Sequence, residues 1–266
     1  MKSYAKINIF LEITGKVGNL HKLHSLFCKV SLADTINILE SNQLSITYVN
    51  ATVEGDIIYK TINALTQYFP QINTNFKFEI KKNIPIGSGL GGASSNAGEV
   101  LKFLIKHHNI QLPHSKLLAI GSEIGSDVPF FLCDSPMVLN GTGKELLRPN
   151  FTIPTLYCII VYSNIELLTK NVFSKTQKPY TPFKAITSFE DAILRTNEMQ
   201  TPANLLTNGK INATLSVLFH PNAIMVRMSG SGSSCFALFT EEIHADESMK
   251  SLQQKGYLCM KTQLLT

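Results

Sequence analysis

Residues 84–96 read Ile-Pro-Ile-Gly-Ser-Gly-Leu-Gly-Gly-Ala-Ser-Ser-Asn, with four glycines and three serines inside residues 86–95. Glycine has no side chain to hold the backbone away from a ligand, and it reaches positive φ freely. The run follows a strand-like segment and precedes a helix-like one. The first N–H groups of a helix lack internal partners and carry partial positive charge, so a glycine loop feeding a helix is a seat for phosphate. This chemistry predicts a protein that handles a phosphorylated small molecule, in particular a nucleotide. A tight strand-to-helix turn would need one or two glycines; four, with Ser94 and Ser95, exceed that need.

Three nucleotide motifs compete for the loop. Gly87, Gly89 and Gly92 match the dinucleotide pattern G-x-G-x-x-G, but the motif lies far from the N-terminus and no acidic residue closes a following strand at the required distance. Gly87 and Gly92 have P-loop spacing, yet Ala93 stands where that motif needs lysine. The H-R-D and D-F-G motifs of protein kinases do not occur.

Other residues carry weaker signals. Asp127, in Gly-Ser-Asp-Val-Pro, reads locally as a turn or cap residue. Lys6 and Asn8 share one face of a strand, which by itself reads as a solvated face. Ser229-Gly230-Ser231-Gly232-Ser233-Ser234 is a second glycine-serine loop, and two such loops in one chain point to a shared polar site. His107 and His108 end a helix, where the dipole favours them without a metal. No cluster of His, Cys and carboxylates has metal-ligand spacing, so no metal ligand is assigned with certainty.

The elements that must position these residues follow from periodicity. Ala5–Ile13 alternates, as do Val30–Leu39, Leu44–Val49 and Phe76–Ile80, the last with Phe76, Phe78 and Ile80 inward. Ile58, Ile62, Leu65 and Phe69 recur at helical spacing. A helix carrying Ala97, Leu101, Leu104 and Ile105 follows the glycine loop, and residues 115–124 form another. Asn140-Gly141 marks a turn between Met137–Leu139 and Glu145–Leu147. Beyond a connection near residue 150, the pattern gives a strand (Leu156–Tyr162), a polar loop (174–188), helices at 189–196 and 210–219, a strand (Ala223–Met228), the second loop, a strand (Cys235–Phe239), a helix (243–254) and a last strand (257–264). Strands and helices mix without a strict βαβ repeat, which predicts an α+β fold. The change of texture divides the chain into domains 1–152 and 153–266.

The bulk numbers agree with a folded protein having a substantial core. The chain has 266 residues, 44% hydrophobic and 16% charged. A net charge of +5 with dispersed Lys and Arg gives at most a mild bias toward anionic substrates and excludes a nucleic-acid-binding run. The five cysteines are odd in number and widely spaced, which favours a reducing compartment. No apolar run reaches membrane-spanning length, and the N-terminus moves directly into a strand pattern, so the cytoplasm is the expected location.

Taken in order, Ala5-Lys6-Ile7-Asn8-Ile9-Phe10-Leu11, residues 85–96, Gly125-Ser126-Asp127-Val128-Pro129 and Ser229-Gly230-Ser231-Gly232 resemble the signature of the GHMP kinase superfamily over essentially the whole chain. The resemblance implies two domains with the active site in the cleft between them. It implies ATP and Mg²⁺, with ATP along Pro85, Ile86, Gly87, Ser88, Gly89, Leu90, Gly91, Gly92, Ala93, Ser94 and Ser95, and Lys82 near the nucleotide. Lys6 and Asp127 match the catalytic pair. The acceptor implied is a cytidine-diphosphate-linked methylerythritol of non-mevalonate isoprenoid biosynthesis, phosphorylated on its 2-hydroxyl. Asn8, His21, Thr169 and Phe173 match its binding residues. The expected partners are these two small molecules, with no nucleic acid and no membrane, and the chain acting as a monomer or weak homodimer.

The chain departs from the pattern in two places. A Gly-Tyr-His segment reads Asn19-Leu20-His21, so a base-stacking tyrosine is replaced by Leu20, and Ile57 stands where many relatives carry asparagine. The resemblance implies a mechanism in which backbone N–H groups of residues 87–95 hold the triphosphate and Ser94 or Ser95 helps hold Mg²⁺. Asp127 accepts the hydroxyl proton, and Lys6 keeps Asp127 ionised. The rivals are another small-molecule kinase of the same superfamily, a nicotinamide-dependent oxidoreductase and a non-catalytic nucleotide-binding protein.

Overall fold

The alternating N-terminal segment forms a long strand, β1 (Lys2–Val17), and the two residues Gly18-Asn19 return it into β2 (Leu20–Glu40), with which it pairs. The computed structural model describes residues 1–53, 55–143, 145–176 and 179–266. After β2 come β3 (Ser45–Tyr48), α1 (Ile57–Tyr68), β4 (Phe76–Lys81), α2 (Gly92–His107), α3 (His114–Ile124), α4 (Val128–Leu132), β5 (Met137–Gly141) and β6 (Glu145–Leu147). The rest of the chain gives β7 (Tyr157–Val161), α5 (Thr169–Ser174), α6 (Phe189–Leu194), α7 (Gln200–Leu206), α8 (Lys210–Leu218), β8 (Met225–Met228), β9 (Cys235–Phe239), α9 (Glu242–Gln254) and β10 (Cys259–Leu265).

These elements form two compact units that interleave along the chain. The first holds residues 1–5, 33–84 and 91–134; the second holds 6–32, 85–90 and 135–266. The expected division at 152/153 falls inside the second unit, because β5 and β6 join that unit through pairing of β5 with residues 23–27 of β2.

In the first unit, β4 lies between the end of β2, antiparallel, and β3, parallel. Phe76, Phe78 and Ile80 of β4 point inward as their alternation predicts, and are at most 2% exposed. They pack against Ile58, Ile62 and Leu65 of α1 and Val100, Leu101 and Leu104 of α2. Burying each such side chain contributes roughly 1.5–3 kcal/mol. Asp56 caps α1 by accepting a 2.8 Å hydrogen bond from the Ile58 N–H.

In the second unit, antiparallel strands run in the order β2, β10, β7, β9, β8, with β5 on β2 and β6 on β5. Every residue of β9 is buried, and its core includes Ile159, Met199, Ile211, Leu218, Ala237 and Phe239.

Where the fold departs from expectation, local reasons are visible. The strand expected at Val30–Leu39 begins ten residues earlier, because residues 20–29 pair with neighbours although His, Lys and Ser break their alternation. Helices α4, α5 and α7 have only five to seven residues, too few to show a period. In the expected loop 174–188, positions 177 and 178 lie outside the described residues.

Candidate active site

The second unit gathers Lys6, Asn8, residues 85–90 of the first glycine-serine loop and the whole of the second loop. Lys6 donates its backbone N–H to Leu90 O at 2.9 Å, which ties β1 to the end of the first loop. The loops meet backbone to backbone: Ser234 N donates to Ser88 O at 3.0 Å, and Ser229 Oγ donates to Gly89 O at 3.3 Å. Gly87 and Gly89 take φ of +65° and +77°, and Gly230 and Gly232 take +56° and +88°. Alternate left-handed residues of this kind turn successive N–H groups toward one side, the geometry of an anion nest.

Lys6 and Asn8 do not lie on a solvated face. Residues 5–13 are buried on both sides of the strand, with Lys6 4% exposed and Asn8 fully buried. Lys6 Nζ donates to Asn8 Oδ1 at 2.7 Å and lies 4.9 Å from the centre of the Phe27 ring. A Cβ on Gly230 would meet Lys6 Nζ at 3.1 Å, so the buried ammonium lies against the second loop. Burying a charge is costly unless it is paired and hydrogen-bonded, and the Asn8 oxygen supplies one such bond here.

The first unit gathers the start of α2, Lys82 and the segment carrying Asp127. Gly91, at φ +71°, opens α2 without any side-chain cap, so the first N–H groups of the helix are not used by a capping side chain. Lys82 is nearly buried and forms an ion pair with Asp34. A Cβ on Gly92 would lie 3.2 Å from Lys82 Nζ, which puts this cation at the first turn of α2. Ser95 is buried and hydrogen-bonded to Ser3 at 2.7 Å, whereas Ser94 is half-buried and close to Gly125.

Asp127 holds the N-cap position of α4, yet its side chain makes no capping hydrogen bond. The turn-or-cap reading of the sequence is therefore right for the backbone only. Close packing at two glycines seats this segment: a Cβ on Gly98 would lie 2.9 Å from Phe131 Cβ, and one on Gly121 2.7 Å from Leu132 Cδ1.

The residues matched to acceptor binding lie in the second unit. His21 stacks on Phe173 with ring centroids 5.1 Å apart and planes 21° apart, and Tyr180 meets His21 edge-on at 6.4 Å. Burial and the Lys16 charge hold the His21 pKa below its usual value. Thr169 Oγ1 is 2.9 Å from Ser231 Oγ on the second loop. Leu20 begins β2 beside the two-residue turn and is 60% exposed.

Sequence reasoning missed Asp34 and Asn197. Fully buried, Asp34 accepts from the N–H groups of Asn83 and Ile84 at 2.8 Å each and pairs with Lys82. Its signal was legible: an acid at an inward position of the alternation Val30, Leu32, Asp34, Ile36, Ile38. Asn197 donates to Met228 O and Gly230 O at 2.8 Å, and so holds the second loop; nothing in its local sequence marks it.

Among the described residues, no group of three His, Cys, Asp or Glu side chains could hold a metal, no disulfide forms, and no helix is long and apolar enough to cross a membrane.

Residues 56–135 match the family profile of the GHMP kinases N terminal domain, and residues 183–258 that of the GHMP kinases C terminal. Fold and loops together define a two-domain α+β phosphotransferase of the GHMP kinase type, a class that acts on small molecules. The chain is 31% identical over 253 residues to the 4-diphosphocytidyl-2-C-methyl-D-erythritol kinase of Thermosipho melanesiensis, covering 91% of each chain. It is 30% identical over 285 residues to that of Pelagibacter ubique, covering 100% of this chain and 98% of the relative. A crystal structure of 4-(cytidine 5'-diphospho)-2C-methyl-D-erythritol kinase shares the fold, with a TM-score of 0.82 at 24% identity over 100% of this chain and 99% of the other. The chain belongs to the family of 4-diphosphocytidyl-2-C-methyl-D-erythritol kinases within the GHMP kinases.

Proposed function

We propose that the protein transfers the γ-phosphoryl group of ATP to the 2-hydroxyl of 4-diphosphocytidyl-2-C-methyl-D-erythritol, giving the 2-phosphate and ADP. The observation that carries this reading is Lys6: a buried ammonium, hydrogen-bonded to Asn8 and lying against Gly230 of the second loop. Such a cation suits charge that develops on a transferring phosphoryl group. The relatives above, named for the same acceptor, support the choice of alcohol.

In the reaction, the acceptor oxygen forms a bond to the γ-phosphorus while the bond from that phosphorus to the β–γ bridging oxygen breaks. ADP leaves with the electron pair. The hydroxyl proton passes to the Asp127 carboxylate. Lys6 neutralises charge on the transferring group, and the N–H groups of residues 87–95 hold the phosphates. Mg²⁺, when bound with ATP, would supply further neutralisation of phosphate charge. The residues fit a cation held mainly by phosphate and water, since Ser94 offers a half-buried hydroxyl at the first turn of α2 while the Ser95 hydroxyl is tied to Ser3. The five cysteines, without a disulfide among the described residues, fit a cytoplasmic setting.

The test measures ADP release from MgATP with the cytidyl acceptor and locates the new phosphate by ³¹P NMR. Lys6→Ala should lower kcat far more than it raises KM for ATP. ADP release that ignores the cytidyl compound but responds to another small alcohol would reassign the acceptor. Oxidation or reduction of a nicotinamide would overturn the kinase reading.

A further inference from the structure

We propose that Ser25, which no motif includes, is a positioning residue that fixes the Asn8 amide and through it the Lys6 ammonium. The inference rests on the kinase reading for the role of Lys6 and on the structure for the geometry. Four groups of the second unit form one buried chain of hydrogen bonds. Lys6 Nζ donates to Asn8 Oδ1 at 2.7 Å, Asn8 Nδ2 donates to Ser25 Oγ at 3.0 Å, and Ser25 Oγ donates to Phe10 O at 2.5 Å. Asn8 and Ser25 are fully buried, and Lys6 is 4% exposed.

The two ends dictate every hydrogen between them. An ammonium can only donate and a carbonyl can only accept. The Ser25 hydrogen is committed to Phe10 O, so its oxygen has only lone pairs left for Asn8. Asn8 must therefore turn its NH₂ toward Ser25 and its oxygen toward Lys6. Without the Ser25 hydroxyl, the Asn8 NH₂ loses its acceptor, and the orientation that serves Lys6 loses its counterweight. A flipped amide would direct N–H groups at the ammonium.

The experiment uses two pairs of variants matched in shape: Ser25 against Ser25→Ala, and Ser25→Thr against Ser25→Val. Thr and Val differ only in the hydroxyl, which separates packing from hydrogen bonding. Ser25→Ala and Ser25→Val should lower kcat about 10- to 100-fold relative to their partners, the scale of a buried donor left unsatisfied. KM for ATP should stay within about threefold, as expected for an interaction that acts in the transition state. Thr should restore most of the rate. A purely structural serine would instead lower the melting temperature and leave kcat per folded molecule unchanged.

A second readout does not need activity. The Asn8 side-chain amide protons, assigned by their loss in Asn8→Asp, should be protected from exchange in the wild type and should shift and lose protection in Ser25→Ala. Equal kcat in the Thr and Val variants, or unchanged Asn8 amide signals in Ser25→Ala, would overturn the proposal. A wild-type protein that releases no ADP would instead sink the kinase reading and leave Ser25 to be judged on the amide signals.

Discussion

Gly89 approaches Gly232 so closely that a Cβ on Gly89 would lie 2.6 Å from the Gly232 carbonyl oxygen, and also 2.6 Å from that of Ser229. Gly89 further requires φ of +77°. Gly89→Ala should therefore separate the two loops that surround Lys6. The left-handed backbone alone costs an alanine about 1–2 kcal/mol, and the collision with backbone adds to it. Gly256→Ala is the control, because Gly256 has φ of +81° with nothing within 4 Å. Thermal melts should show a larger loss for Gly89→Ala than for Gly256→Ala, and ATP turnover should fall only in the first. Equal melting losses and normal turnover would mean that contact of the loops is immaterial.

Asp34 joins β2 to Lys82, Asn83 and Ile84, the segment that leads into the glycine loop. Its carboxylate is fully buried and satisfies two backbone N–H groups as well as the ammonium. Removing one partner of a buried ion pair leaves the other uncompensated, at about 3–5 kcal/mol. Urea unfolding of Asp34→Ala should show a loss of that order, and KM for ATP should rise in whatever fraction stays folded. A loss below about 1 kcal/mol would show that Lys82 and the two amides find water instead.

Much of this was legible in the sequence, for reasons specific to particular residues. The glycine loop could be read because four glycines exceed what a turn needs, and the structure places three of them at φ between +65° and +77°. Phe76, Phe78 and Ile80 could be read because one face of β4 is core and the other is not. Lys6 and Asn8 could not be read locally: the same alternation describes a solvated face and a buried polar one, and only the strands and loops packed over β1 decide between them. Ser25 and Asn197 act through hydrogen bonds to residues 17 and 33 positions away, among them Asn8 and Gly230. Window-based reasoning has no access to such pairs.

Asp127→Asn preserves volume and removes proton acceptance. A melting curve run beside the activity assay separates loss of the base from loss of folded protein. Removing a general base typically lowers the rate by about 10²–10⁴, and a loose phosphoryl-transfer transition state holds the loss toward the lower end. Stopped-flow or coupled assays of ADP release will measure it. Near-normal turnover would remove Asp127 from the mechanism.

Stability should fall as pH drops through about 6.5 because of His24. Its ring is 1% exposed between Phe10 and Phe183, and burial holds its pKa below 6.5 despite the hydrogen bond with Asn140. The unfolded chain therefore takes up the proton first as pH falls. The stabilisation is complete above the unfolded value near 6.5, is lost as pH drops below it, and levels off under the folded-state pKa. His21 acts with the same sign. Glu12, raised by burial against the pull of Arg195, acts with the opposite sign above 4.5. The difference between wild type and His24→Gln isolates the histidine, and its unfolding free energy should vary less over this range. Identical pH profiles would refute the assignment.

The acceptor end gives the last prediction. Where the family resemblance implies two rings around cytosine, this chain has Phe173 and an exposed Leu20 at the start of β2. In the structure one face of Phe173 is covered by His21, and Tyr180 stands edge-on to that histidine. If the base stacks on Phe173, Phe173→Ala should weaken binding of the cytidyl acceptor by about 1–3 kcal/mol, the usual contribution of a base on an aromatic ring. Leu20→Tyr should tighten binding with little change in kcat, because it adds a flat face where leucine has none. Tyr180→Leu provides the discriminating arm: if Tyr180 supplies the second ring, its loss weakens binding and Leu20→Tyr compensates in the double variant. Isothermal titration with the cytidyl compound reads all three. Unchanged affinity in Phe173→Ala, together with no gain from Leu20→Tyr, would place the base elsewhere in the protein and reopen the identity of the alcohol.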